Sequence, residues 1–497
     1  MAQQPGVKPI ALEKRSYIKD MRVLGHFFAD SDRFGKFQMM SVGNKRYLFQ
    51  AYTTHGEGGA ITRGAVIDVS NPLKPVLLNG NAWQEGRYPG MFQIQVAYHQ
   101  ASGKWLLVAG STHYRPGTPG FRGIIVYDLT DPAKPRQISR WSVDGGDPAR
   151  AVQQGSGTHR FFYDGGRYAY LSTAPDDSYH FPELNGRKKI SFGYSWGLQV
   201  VDLLDPAKPK LATNWSFPGQ RHADAEGRKS WPFLSDPLSM PFQHGPVYMP
   251  VRAENGGRYG YGAWGSFGMV IQDLSDMANP RVVSTWRPTP SDGPMIAVHT
   301  VDVARLDRGF VITNPESILP QCREAQVPIS IVDVRNPAKP TLIANLPQPV
   351  PPKSAPYKSY CERYGRSGPH NPPHLKAPGR ADPNFTCYAY FAAGLQCYSL
   401  RDPRRPAIVS YFVPSQGTDD AVPEPAPGAA GEWTRTVDNV FIEWDRRLIW
   451  VATDSGIYLL SATQLGTPVT RPMPVTRWVM PDSNQGSTGQ RPATQGS

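Results

Sequence analysis

One phrase, repeated along the 497-residue chain, constrains its fold more than any other feature. It is an apolar pair, Asp, an apolar residue, any residue, Asp or Asn followed by Pro, two residues, a second Pro, then a new apolar run. Val66-Ile67-Asp68-Val69-Ser70-Asn71-Pro72-Leu73-Lys74-Pro75 is the first copy. The phrase returns at Val126-Tyr127-Asp128 with Asp131-Pro132, at Val200-Val201-Asp202 with Asp205-Pro206, and at Ile331-Val332-Asp333 with Asn336-Pro337. Variants stand at Ile271-Gln272-Asp273, where Met277 replaces the first Pro, and at Cys397-Tyr398-Ser399, where Ser replaces the first Asp. A degenerate seventh copy is Ile457-Tyr458-Leu459-Leu460-Ser461.

An alternating apolar run is a strand. Asx side chains bond the backbone just ahead of them and Pro presets φ, so the Asp/Asn-Pro step turns the chain. The run that follows is the returning strand, and each phrase is therefore a β-hairpin. Another pair of short runs lies upstream of each, for example Tyr168-Ala169-Tyr170-Leu171. Four strands per unit of about 60 to 75 residues is the anatomy of a propeller blade. The copies predict an all-β fold, a single seven-bladed β-propeller with long face loops; six or eight blades are also compatible with the phrase. Met21–Phe27 supplies only the outer strand of a unit and is expected to complete the last blade. The expected boundaries are an N-terminal extension over 1–20, the propeller over 21–480 and a disordered polar tail over 481–497.

Composition agrees and excludes other classes. The 48 Gly and 50 Pro exceed average usage of about 7% and about 5%, and they punctuate the whole chain, which argues against bundles and coiled coils. No apolar run approaches the length of about 18 residues that a membrane-spanning helix needs. The net charge of +12 is scattered, with clusters no longer than Arg187-Lys188-Lys189, so a solvated basic surface is expected and no nucleic-acid partner. A P-loop is missing from the sequence, and no glycine-rich stretch has the strand–helix context of a dinucleotide fingerprint. The four cysteines, Cys322, Cys361, Cys387 and Cys397, form no Cys-x-x-Cys and suit two disulfides, Cys322 with Cys361 and Cys387 with Cys397. That places the protein in an oxidising compartment, periplasmic or secreted; four buried thiols in a cytosolic protein are the alternative. Met1–Gly6 has neither a basic nor an apolar signal region and reads as a mature start with an added Met.

The repeated phrase resembles that of the LVIVD-repeat proteins, which are regarded as β-propellers. The resemblance covers about residues 20 to 480 and implies an architecture, not an activity.

Histidines carry the functional signal. Four of the eleven, His159, His244, His299 and His370, precede the phrase's Asp or Ser by 43, 29, 34 and 29 residues in four consecutive units. Each stands where the chain enters the innermost strand, beside the propeller axis. Other units hold Gln38, Gln93 or Gln95, and Asp438-Asn439 at the matching places. Four imidazoles converging on one axis predict a metal site, with Fe(II) first and copper or zinc second. Local hydrogen bonding at the blade entries is the competing reading. His374 is an alternative ligand to His370, and Glu254, Asp302, Glu316 and Glu443 are candidates to back the imidazoles.

This layout is similar to that of the carotenoid cleavage oxygenases, which hold Fe(II) with four histidines. It is also similar to the selenium-binding proteins, which include methanethiol oxidases, with their His-rich site. The resemblance is one of layout alone. It implies an iron-dependent oxygenase that uses O2 to cleave an activated C=C bond of an aromatic or terpenoid small molecule. Two readings remain beside it: a non-catalytic periplasmic or surface scaffold, and a metal-dependent lyase or hydrolase. Long insertions stand near 143–158, 176–196, 217–242 and 342–386, with a Pro/Ala/Gly-rich fifth at 413–434; aromatics gather in 176–196, 217–242 and 342–386 and again around Tyr261 and Trp264, and Tyr194, Trp196, Tyr261 and Trp264 are candidates to line a substrate pocket.

Overall fold

The computed structural model describes residues 16–28, 33–56, 59–83, 90–112, 121–143, 157–174, 196–231, 240–288, 296–363, 365–415, 437–453 and 456–475. After two short strands, β1 (Tyr17–Lys19) and β2 (Met21–Phe27), the chain builds five four-stranded antiparallel blades in succession. They are β3 (Arg33–Val42) to β6 (Val76–Asn79), β7 (Gly90–His99) to β10 (Arg136–Ser142), β11 (Gly157–Phe162) to β14 (Lys210–Trp215), β15 (Val247–Tyr248) to β18 (Arg281–Trp286), and β19 (Ile296–Asp302) to β22 (Thr341–Asn345).

The sixth blade is irregular. Its strands are β23 (Phe385–Ala389), β24 (Leu395–Ser399) and β25 (Ala407–Val413), with β1 added outside. A proline-rich stretch fills the innermost place: Ser367 bridges to Phe391, His370 N donates to Ala389 O at 2.8 Å, and Ala389 N donates to Asn371 O at 2.9 Å. The seventh blade runs β26 (Val437–Glu443), β27 (Leu448–Thr453), β28 (Gly456–Ala462), with β2 outermost. The chain is thus a seven-bladed β-propeller closed by its N-terminal strand, as the isolated Met21–Phe27 segment predicts. Strand pairing begins slightly earlier than position 21, at Tyr17 against Val413.

The repeated phrase forms the turn its chemistry predicts. Asp128 Oδ1 accepts from Thr130 N at 2.8 Å and Asp131 Oδ1 from Ala133 N at 3.0 Å. Asp202 with Leu204 N and Asp205 with Ala207 N repeat the pair at 2.9 and 3.0 Å. Both carboxylates of the phrase are therefore turn formers. Each outer hairpin also slips by one residue at the same point, between Val200 and Val201, Ile271 and Gln272, or Ile331 and Val332. Such a bulge increases the local twist.

Blades bury their faces against one another. One cluster joins blades seven, one and two through Trp450, Phe49, Val66, Trp105 and Ile125; another joins blades three, four and five through Tyr170, Leu198, Ile271, Val301 and Val332. Both expected cysteine pairs are disulfides: Cys387–Cys397 across β23 and β24, and Cys322–Cys361 with Cα atoms 5.4 Å apart.

Up-and-down topology fixes which end of the ring matters. In every blade the innermost strand starts at the same end. The connections from second to third strand, and from each outer strand to the next inner one, lie at that end too. Stretches 317–329 and 346–366 are two of them, and the Cys322–Cys361 disulfide staples one to the other.

Candidate metal centre

Local backbone irregularity aims the four histidines. In β11 the pairing with β12 (Tyr168–Ala174) jumps from Thr158↔Thr173 to Phe161↔Leu171, which leaves His159 and Arg160 outside the ladder. In β19 it jumps from Ile296↔Glu316 to Thr300↔Asn314, passing over His299. In β26 the residue passed over is Asp438. His244 N and Gly245 N share Ala263 O at 3.0 and 3.1 Å just before β15, and His370 lies in the irregular stretch of the sixth blade. A bulge re-aims a side chain without ending the strand, and here each one turns a polar group toward the axis.

The imidazoles form an arc in blade order. Ring centroids lie 4.7 Å apart for His159 and His244, 4.7 Å for His244 and His299, and 4.8 Å for His299 and His370. His159 Nε2 is 3.2 Å from His244 Nε2. Glu316 ends β20 (Phe310–Glu316) and reaches into the arc. Its Oε2 lies 3.4 Å from His244 Nε2 and 3.3 Å from His299 Nε2, and its Oε1 lies 3.4 Å from His370 Nε2. Donor atoms of His244, His299 and Glu316 all fall within 4.8 Å of one another in buried surroundings.

The far sides of two rings are held. His370 Nδ1 is 2.9 Å from Asp438 Oδ1, and His299 Nδ1 is 2.6 Å from Thr300 Oγ1. Trp196 stacks on His159 with centroids 4.4 Å apart, and Phe391 on His370 at 4.5 Å. Two arginines enter the hub. Arg366 Nη2 donates to Glu316 Oε1 at 2.5 Å, and Arg160 places Nη2 3.4 Å from His370 Nε2.

Electrostatics set the charge states. Burial pushes His244 well below the usual imidazole range, and neighbouring His159, Arg160, His370 and Arg366 push the same way. Burial also lowers His370, against the pull of Asp438 and Glu316. Burial alone would raise Glu316, yet Arg366, His370 and Arg160 outweigh it and hold the carboxyl below its ordinary value. These directions make His244 and His370 neutral and Glu316 ionised at neutral pH.

This donor set fits a metal ion. Glu316 Oε2 accepts no hydrogen bond among the described residues, although two imidazole nitrogens face it. A buried carboxylate oxygen in that position is costly unless a proton or a cation stands between it and the nitrogens. Imidazole with carboxylate suits iron, copper and zinc.

Other expected residues lie elsewhere. His374 Nε2 sits 2.5 Å from Gln38 Nε2 and its ring lies along Phe441, so it faces the seventh and first blades and not the arc. Together with Phe37, Tyr248, Thr300, Asp302 and Asn439 it lines a small cavity, further along the inner strands than the histidine arc. Glu254 accepts from Arg167 N, Asp302 pairs with Arg305, and Glu443 is enclosed by Arg46, Arg446 and Trp450. Of the four carboxylates expected behind the rings, Glu316 alone stands at the imidazoles, and it faces their Nε2 atoms. Asp438 takes the backing role instead; its signal was its place in the series of blade-entry residues. Arg160 and Arg366 carried no repeat signal. Trp196 packs on a ligand candidate. Tyr261 and Trp264, expected as pocket walls, are buried in the core around the fourth blade, where Trp264 meets Trp215 edge-on at 5.2 Å. Tyr194 lies outside the described residues, as do most of the insertion aromatics.

No protein-family model matches the sequence, and no curated protein matches it either. Solved structures are similar in fold. The β-propeller domain of Cps50 (Swd1) from Myceliophteria thermophila superposes with a TM-score of 0.46 at 9% identity, over 89% of this chain and 99% of that one. Raptor from Chaetomium thermophilum gives a TM-score of 0.44 at 11% identity, over 90% of this chain and 30% of that one, so the match spans under a third of its length. Among the described residues no helix is long and apolar enough to cross a membrane.

Proposed function

We propose that the hub holds a redox-active metal ion, iron first, and that the protein is a metal-dependent oxygenase. The observation that carries this reading is an arc of imidazoles from four consecutive blades, three of which face the carboxylate of Glu316, in a buried site where Glu316 Oε2 accepts no hydrogen bond among the described residues. His159, His244, His299 and His370 would hold the ion, with Glu316 beside it. Bound there, iron(II) would supply the one-electron chemistry that lets O2 react with a closed-shell molecule.

The protein's own groups prepare that site. Burial keeps His244 and His370 unprotonated, the state a ligand needs. Asp438 fixes the orientation of the His370 ring, and Arg366 fixes that of Glu316. Trp196 and Phe391 cover imidazole faces and exclude water. The layout shared with four-histidine propellers favours cleavage of an activated C=C bond of an aromatic or terpenoid substrate, each new carbonyl taking one oxygen atom of O2. The LVIVD-like phrase supports the scaffold and adds nothing to the chemistry. The two disulfides favour a periplasmic or secreted protein.

Elemental analysis of protein purified without chelator, before and after iron supplementation, tests the reading, followed by O2 uptake with aromatic alkenes. Near-stoichiometric iron is expected. Stoichiometric copper or zinc would change the ion and, for zinc, the chemistry. Protein that takes up none of the three would be the scaffold that the sequence also allows.

A further inference from the structure

The central channel ends differently on the side away from the histidines. In the sixth blade the innermost place begins as a strand would, with His370 N and Asn371 O bonded to Ala389. Pro372 and Pro373 follow, and proline has no N–H to give to a ladder. The chain leaves the blade there. His374, Leu375 and Lys376 then cross the axis. His374 Nε2 reaches Gln38 of β3 at 2.5 Å and its ring lies along Phe441 of β26, so it meets blades one and seven. Leu375 packs on the cluster of blades three, four and five. Lys376 Nζ donates to Val96 O of β7 at 3.1 Å and to Tyr163 O, one residue past β11, at 2.6 Å.

In a ring of seven, blade six faces the gap between blades two and three, so Lys376 spans the diameter. Its partner Tyr163 follows the last residue of β11, which places the crossing where the innermost strands finish, opposite to the histidines. The lysine is 5% exposed, and burial lowers its ammonium to about 7, with Asp164 pulling it up and Arg252 pulling it down. An ammonium taken out of water needs acceptors for its protons. Here two backbone carbonyls from different blades supply them, and the four-carbon stem gives the reach. Pro372, Pro373, His374 and Leu375 also wall the small cavity beyond the arc, and Thr300, which bonds His299 Nδ1, lines the same cavity.

We propose that His374-Leu375-Lys376 is a plug that seals the channel where the innermost strands finish, so that ligands reach the hub from the end where those strands begin. The closure stands on these contacts alone; its bearing on ligand entry rests on the metal-centre reading. The mouth is then the end that carries stretches 317–329 and 346–366, stapled by Cys322–Cys361, which are placed to select what enters.

A thiol placed in the cavity tests the plug. All four cysteines are in disulfides, so Val440→Cys, on the cavity wall, adds the one reactive thiol. The probe is a small cationic methanethiosulfonate applied to the folded full chain. Its reaction is expected to be about 100-fold slower than in denaturant, because a sealed thiol reacts through local opening. Adding Leu375→Gly and Lys376→Ala should speed it on the order of tenfold. Val66→Cys, in the core between blades, is the control and should not respond to the same pair of changes. A fast thiol in the chain with an intact plug, no acceleration on opening it, or equal acceleration at Val66→Cys would each overturn the proposal. Should the opened variant fail to fold, Leu375→Ala alone decides: it keeps the lysine brace, a several-fold acceleration is expected, and none would overturn the plug. No ion enters the assay, so its outcome is separate from metal uptake, which elemental analysis decides.

Discussion

Two buried glutamates, each engaged by arginine, stand in this ring and do different things. Glu443 closes the propeller. Its Oε1 accepts from Arg446 Nη2 at 2.6 Å and Trp450 Nε1 at 2.7 Å, and its Oε2 from Arg46 Nη1 at 2.6 Å and Arg446 Nε at 2.8 Å. Arg446 continues to Val69 O and Ser70 O, which ties the seventh blade to the first. Glu316 has the same burial and the same direction of charge stabilisation, but among the described residues one of its oxygens accepts no hydrogen bond and faces imidazoles instead. A buried carboxylate with both oxygens bonded specifies structure, whereas one with an oxygen left over leaves a place for a ligand. Hydrogen-bond completeness separates the clasp from the candidate site; burial and charge do not.

Substitution at the clasp should give the largest effect. Glu443→Gln leaves Arg446 buried without its counter-charge, while Arg46 keeps Asp445, and is expected to cost about 3–5 kcal/mol of unfolding free energy by denaturant titration. The surviving folded fraction should keep its metal stoichiometry. A mild effect on stability with loss of metal would reverse the two roles.

His299→Ala should spare the fold and empty the hub, because strand pairing, not the ion, closes the blades. Metal retained after gel filtration is expected to fall from near-stoichiometric to background, and unchanged occupancy would remove His299 from the ligand set. Glu316→Gln tests the other half of the comparison. It leaves Arg366 without its counter-charge, so its stability cost should also reach about 3 kcal/mol, but here metal affinity falls as well.

A smaller effect is expected behind the ligands. Asp438→Asn should weaken metal binding roughly tenfold, the lower end of what removing such a partner costs, with little change in the melting temperature of metal-free protein. The smallest effect is a shift along the pH axis. His244 and His370 have their affinity for protons lowered below the ordinary value of 6.5, chiefly by burial, so protons displace metal only at lower pH than from free imidazole. The unfolded chain binds those protons more readily, so stability also declines as pH falls below 6.5. A metal-release midpoint above 6.5 would contradict the assignment of these rings as the buried ligands.

The fold was open to inspection in the sequence because its signal is local. Asp128, Asp131, Asp202 and Asp205 each bond a backbone group two residues ahead, so the phrase writes its hairpin within a few residues wherever it occurs. Closure by Met21–Phe27 followed from one unit being short of a strand. The blade-entry histidines were readable for a related reason: a repeat puts equivalent positions in equivalent places, and four such places hold the same residue type. Spacing also brought Asp438 into the series, without saying that it would bond His370.

What spacing could not give was the partner of any carboxylate. Glu316 and Glu443 look alike in sequence, each closing an apolar run, and Glu254 and Asp302 were no less plausible. Choosing among them depended on which arginines and ring nitrogens arrive from blades far away in the chain. Arg366 reaches Glu316 from 50 residues on, and Arg46 reaches Glu443 across 397. Tyr261 and Trp264 illustrate the same limit, since an aromatic on a blade strand serves core or cavity according to which neighbour packs over it. Residue order determined the strands, the turns and the blade-entry histidines, because those are written in a local repeat. Tertiary structure alone decided which buried charges are satisfied and which are left facing one another, because that balance is struck between segments that only the closed ring brings together.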